Sequence, residues 1–191
     1  MATIVAFLAV TTAFLSCDKG TNTSNSNTGN SNTGTGGNTF SITSSAFKNN
    51  DRLADKYCHF SSNISLPFEW KNVPDGVKSF ALVIHDPQGG NWIHWAVFNI
   101  PNDCTSIPEG ASGTNNMPKG CIELENEFYT DGYGGPEPPQ GSGTHNYTVR
   151  LYALNVSSIS PQNAFENYPS INGLLAGKII GQAEIVGTYS R

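Results

Sequence analysis

The sequence predicts a mainly β domain with one short helix near its C-terminus, and three observations carry that reading. Charged residues make up only 13% of the 191 positions, while 20 glycines and 11 prolines punctuate a chain that is 37% hydrophobic, a mixture suited to strands and shaped loops rather than to long amphipathic helices. Two apolar, β-rich runs, 80–86 and 92–101, flank the turn Pro87-Gln88-Gly89-Gly90. A third run, 146–154, follows a loop dense in glycine and proline that ends on His145. At 20.4 kDa the chain suits one domain with appendages.

Residues 1–17 form an apolar stretch the length of a signal-peptide core, too short for a comfortable membrane span. Phe14-Leu15-Ser16-Cys17 resembles a relaxed lipobox, so Cys17 is the expected lipidation site and the mature protein is expected outside the cytoplasm as a membrane-anchored lipoprotein. Residues 18–39, almost all Asn, Thr, Ser and Gly, offer no apolar face and are expected to be a disordered tether, leaving 40–191 as the folded domain. A net charge of −5 with no basic run excludes a broad nucleic-acid-binding face.

Within the domain, Phe40 to Ser44 alternates as an edge strand, and Lys48 to Asp51 is turn chemistry. Tyr57 to Ser62 and Leu66 to Trp70 read as two further strands. In 80–86 both faces are apolar, with Phe80, Leu82, Ile84 and Asp86 on one and Ala81, Val83 and His85 on the other. Trp92, His94, Ala96, Phe98 and Ile100 share a face by the same period, as do His145, Tyr147, Val149, Leu151 and Ala153. Residues 101–129 are irregular, a length that points to a loop covering something. Within them Glu123, Glu125 and Glu127 alternate as a solvated face. Ile171 to Gly177 is the helix candidate, with Pro169 interrupting before it, and 178–189 closes the domain as a strand with a bulge at Gly181. Cys104 and Cys121 both fall in the loop-rich stretch and would close a loop of about eighteen residues, so they are the expected disulfide.

Two motifs, DPQGGNWIHWAVFNIP at 86–101 and GYGGPEPPQGSGTHNY at 132–147, together with AFKNND at 46–51 and VGTYSR at 186–191, resemble the phosphatidylethanolamine-binding protein family, in particular its bacterial Raf-kinase-inhibitor-like branch. The resemblance runs from about Phe40 to Arg191. It departs at Gln88, where the family usually has a second aspartate, and at Glu137, where bacterial members often have cysteine. The resemblance implies a sandwich of two antiparallel sheets with a short C-terminal helix. It also implies a small pocket for phosphate-type headgroups built from Asp86, His94, His145 and Tyr147, with Gly135 and Pro136 shaping its wall. Imidazole donors, close glycine backbone and one carboxylate suit a phosphate-, sulfate- or carboxylate-bearing ligand or a phospholipid headgroup. A binding protein without cofactor or metal is therefore expected, not an enzyme. Two alternatives stand beside it: a protein-interaction or protease- or kinase-inhibitor-like module whose pocket is vestigial, and a hydrolase or metal-dependent enzyme using Asp86, His94 and His145. Ser142 shows no sign of activation in sequence.

Overall fold

The computed structural model describes residues 39–191. The signal-like segment, Cys17 and all but the last residue of the tether lie outside the described residues. The strands are β1 (Ser41–Thr43), β2 (Phe68–Lys71), β3 (Ser79–Asp86), β4 (Trp92–Pro101), β5 (Ser106–Ile107), β6 (Ile122–Glu123), β7 (His145–Leu154) and β8 (Ile179–Tyr189), with helix α1 (Tyr168–Leu175) between the last two. They form two antiparallel sheets, ordered β1-β2-β5 and β6-β4-β3-β7-β8. The mainly β fold with one short C-terminal helix is thus the fold that the sequence implied. Among the described residues no helix is long and apolar enough to cross a membrane.

β3 is buried at all eight positions because it lies centrally and both of its faces are covered. Phe80, Leu82 and Ile84 meet Phe68, Trp70, Ile107, Val149 and Leu151 between the sheets. Ala81 and Val83 pack with Ile171 and Leu175 of α1 on the other side. His85 stacks on Tyr168 with ring centroids 4.3 Å apart, the side that the period of two assigned to it.

β4 does not keep one alternating face. Its pairing with β3 slips twice: Phe80 faces Ile100 but Leu82 faces Val97, and Ile84 faces Trp95 while His85 faces Ile93. One extra residue is accommodated near Asn99, whose φ is +60°, and another at His94. Trp95, Val97 and Ile100 consequently join the core between the sheets, whereas Ile93, Ala96 and Phe98 join the helix side. Each bulge resets the parity of the strand, so the single face expected from 92 to 100 is divided.

Other expectations change for local reasons. Residues 57–62 are not a strand: a 3₁₀ turn at Asp55–Tyr57 leads into a tight turn in which the Cys58 carbonyl accepts from both Ser61 and Asn63. The helix begins at Tyr168, earlier than expected, since the Asn167 side chain caps it by accepting from Ser170 N and Pro169 sits in the first turn, where its missing N–H costs nothing. The bulge in β8 is present beside Gly181. There a Cβ would lie 2.6 Å from a ring carbon of Pro74, so the close packing of that ring on the strand favours glycine.

Cys58 and Cys121 are free thiols, so the expected Cys104–Cys121 bridge is not formed. Cys121 immediately precedes β6 in the larger sheet, whereas Cys104 leads into β5 in the smaller one. Glu123 is no solvated strand position either. Its carboxylate accepts from Trp95 Nε1 at 2.7 Å, Ser112 Oγ at 2.6 Å and Gly113 N at 2.9 Å, tying the 101–129 loop to β4. Glu123→Ala strands the buried indole N–H and the loop donors. It is expected to lower the unfolding free energy by about 2–3 kcal/mol in urea titrations with an unchanged m-value.

Candidate functional site

The two predicted motifs meet at one end of the larger sheet. Asp86 ends β3 and His145 begins β7, its direct neighbour, so the sheet itself carries the two side chains to the same corner. His145 Nδ1 lies 2.5 Å from Asp86 Oδ2, and both side chains are more than nine-tenths buried. The other carboxylate oxygen accepts from Gly89 N at 3.0 Å, which folds the 87–90 turn back over Asp86. Gln88, also in that turn, accepts from Asn146 N at 2.9 Å and fastens the turn to β7.

His94 is aimed by its bulge. Its Nδ1 lies 2.7 Å from the Gly134 carbonyl, while Gly134 N donates to the His94 carbonyl at 2.8 Å. A carbonyl only accepts, so Nδ1 carries the ring proton and Nε2 presents a lone pair. Burial holds the His94 pKa down at about 4, which keeps the ring neutral through the physiological range. The His94 and Tyr147 rings meet edge to face at 5.0 Å. The Tyr147 hydroxyl is buried without a hydrogen-bond partner among the described residues, and burial, followed by the nearby Asp86 charge, pushes its pKa far above the ordinary phenol value.

These groups border a pocket of about 430 Å³ lined by Asp86, Gly89, Trp92, His94, Phe128, Glu137, Pro138, Pro139, His145 and Tyr147. Of the expected site residues, Asp86, His94, His145 and Tyr147 are brought together; Gly135 and Pro136 lie outside this lining. Gly135 serves a different need, since a Cβ there would fall 1.8 Å from the Tyr57 carbonyl oxygen. The glycine amides expected as anion donors are engaged within the protein: Gly134 N with His94, Gly135 N with Asn63 Oδ1, Gly141 N with the Arg191 carbonyl.

Sequence reasoning missed the aromatic wall. Phe128 comes from the long irregular loop and is stacked flat on His59 at 3.9 Å, with Trp92 edge-on at 5.5 Å. The length of that loop was the available signal. Glu137 lines the mouth, but its oxygens are held by His59 Nδ1 at 2.7 Å and by the Arg191 guanidinium at 3.2 Å.

Ser142 Oγ lies 3.0 Å from His145 Nε2, which completes an Asp–His–Ser chain. The same hydroxyl donates to the Pro139 carbonyl at 2.7 Å. With its single proton directed there, Ser142 is the acceptor of the Nε2 contact, the reverse of the polarity that an imidazole base needs to activate a serine. The metal alternative lacks its ligand set: among the described residues no group of three or more His, Cys, Asp or Glu side chains is placed to hold a metal ion.

The family model for phosphatidylethanolamine-binding protein matches residues 43–190. The chain belongs to the phosphatidylethanolamine-binding protein family. A UPF0098 protein of Methanothermobacter thermautotrophicus is 37% identical to this family member over 149 residues, covering 76% of this chain and 95% of that protein. Escherichia coli YbcL is 32% identical over 161 residues, 78% of this chain and 87% of YbcL. Its crystal structure, described as a new member of the mammalian PEBP family, superposes with a TM-score of 0.75 over 80% of this chain and 98% of that one, at 31% identity. A Mycobacterium tuberculosis protein named as a candidate lipoprotein, LppC, is 32% identical over 155 residues, 78% of this chain and 69% of that protein.

Two buried histidines make the stability of this family member pH-dependent. Burial depresses His94 and His85 from 6.5 to about 4 each. Below about pH 6.5 the unfolded chain takes up protons at these rings that the folded one refuses, so stability is full above that pH and falls progressively towards pH 4. Urea midpoints are expected to drop between about pH 7.5 and 4.5. In His85→Phe, which keeps the stacked ring on Tyr168, the slope is expected to be shallower; an unchanged slope would clear His85 of any part in it.

Proposed function

We propose that the chain is a binding protein whose pocket receives a small oxyanion-bearing ligand of the phosphatidylethanolamine-headgroup kind, phosphate or carboxylate at its polar end. One observation carries the reading. The Tyr147 hydroxyl is buried in the pocket wall with no protein partner, an arrangement that costs stability unless something bound there accepts from it. Asp86, His145 and His94 converge on the same end, while Trp92, Phe128, Pro138 and Pro139 supply an apolar flank for the remainder of the ligand. Membership of a family described by its binding of a phospholipid supports the reading.

A second reading, a protein-contact module of the inhibitor kind, is favoured by exposed aromatics: the lining residue Trp92 is 36% exposed, and Tyr129, which follows the lining residue Phe128 in the chain, is 81% exposed. Calorimetric titration of the chain with phosphoethanolamine, inorganic phosphate and acetate near pH 6 and pH 8 separates the two. Saturable heat that Tyr147→Phe weakens about tenfold is the expected result; no heat with any of the three moves the assignment to the protein-contact reading.

We place the domain at a membrane through lipid on Cys17, with residues 18–39 as tether. The lipobox-like Phe14–Cys17 and the lipoprotein name carried by the relative LppC support this. Palmitate labelling in a bacterial host is expected to mark the full chain and to vanish in Cys17→Ser; label that survives the substitution would sink the anchor.

A further inference from the structure

The direction of the open hydrogen bonds in the pocket restricts the protonation state of what can bind, a point that rests on the oxyanion reading above and narrows it. The bonds already made leave few groups free. Asp86 is occupied by His145 and Gly89, Glu137 by His59 and Arg191, and the nearby glycine amides by backbone and Asn63. Deep in the lining, two adjacent groups have no partner among the described residues; the Trp92 indole N–H, on a residue 36% exposed, is a further open donor. His94 Nε2 can only accept, because Nδ1 holds the ring proton against the Gly134 carbonyl. The Tyr147 hydroxyl, one ring contact away at 5.0 Å between centroids, is free to donate.

The sense of the hydrogen bond open at His94 does not favour a fully ionised ligand. Asp86 approaches from β3, His145 and Tyr147 from β7, His59 and Glu137 from the loops, and among the described residues no lysine or arginine lines the pocket. A phosphate dianion would set a lone pair against the lone pair of Nε2. A group that retains one acidic hydrogen meets both partners: its O–H donates to His94 Nε2 and an adjacent bare oxygen accepts from Tyr147.

We infer that the pocket selects an oxyacid carrying its own proton, so that it takes phosphate monoesters as their monoanions and discriminates against phosphate diesters and sulfate esters, which have the same charge and no proton. By this inference the ligand is a headgroup monoester, and an intact diester phospholipid is disfavoured. Inorganic phosphate belongs to the accepted class and inorganic sulfate does not.

The test uses three probes of nearly equal size, methyl phosphate, methyl sulfate and dimethyl phosphate, titrated calorimetrically into the full chain from about pH 5.5 to 8. Methyl phosphate is expected to bind best at the acid end, with its Kd rising about tenfold per pH unit above the second pKa of the ester near 6. The other two are expected to bind at least about tenfold more weakly at pH 5.5, the scale of one buried hydrogen bond left unmade. Because the sulfate is a monoanion throughout, it also controls for protonation of the protein's histidines: a pH response shared by both esters belongs to the protein and overturns the inference. Equal affinity for sulfate and phosphate monoesters at pH 5.5 overturns it too, while leaving the oxyanion pocket standing. Absence of binding by all three removes that pocket and the inference with it. His94→Gln, whose amide can offer a donor in place of the lone pair, is expected to bring the phosphate-to-sulfate preference to within about threefold; the wild-type comparison decides the matter by itself should this variant fail to fold.

Discussion

The contact between Asp86 and His145 is the constraint on which the rest of the site depends. Two charged-type side chains at 2.5 Å, both nearly sealed from water, sit where β3 and β7 run out. Removing either partner leaves the other buried with its main bond gone, an expensive state in a medium that screens poorly. The strands beneath are in turn held rigidly, since β3 pairs with β7 without a slip from Ser79 opposite Leu154 to His85 opposite Thr148. A regular ladder therefore sets the separation of the pair, and the pair orients both motif loops: Gly89 closes on one face of the carboxylate, and Ser142 on the far nitrogen of the imidazole.

If β7 supplies regularity, β4 supplies the exception. With an unbroken period of two, a residue at 94 would fall on the opposite face from Trp95. The bulge brings His94 to the pocket side while Trp95 still enters the core between the sheets, where it meets Tyr133 edge-on at 5.6 Å. One inserted residue thus serves both the hydrophobic core and the pocket wall. The carbonyl of Gly134 then selects the tautomer, and glycine at 134 and 135 lets the loop approach closely enough to do so; a Cβ at 134 would lie 2.5 Å from the Phe128 ring.

The regular parts of this arrangement were legible in the sequence. The apolar face of β7, the two-sided burial of β3 and the outward-lying His85 follow from the period of two, and the family motifs pointed to Asp86, His94, His145 and Tyr147. What escaped was whatever depends on register or on long-range capture. The bulges of β4 leave no local composition signal, so its faces were misassigned. Glu123 looks like a solvated acid until Trp95 and Ser112 are known to point at it. Phe128 belongs to a stretch without periodicity, and only tertiary stacking on His59 shows it to be a wall. The glycine-rich loop suggested free amides because glycine permits close approach to a ligand; the same property lets it approach the protein's own carbonyls, and that is where its amides went.

The two departures from the family motifs acquire a physical meaning from this geometry. Gln88, in the place of an acid, accepts from the Asn146 amide and fastens the turn, as a neutral side chain can without adding charge beside Asp86. Glu137, in the place of a thiol, brings a charge to the mouth, but the Arg191 guanidinium and the His59 ring, itself stacked on Phe128, hold it. Neither change leaves an uncompensated acid facing the pocket, and neither adds a cation. On the proposed reading, net charge is therefore a weak discriminator at this site, and the sense of each open hydrogen bond, an acceptor at His94 and a donor at Tyr147, becomes the stronger one.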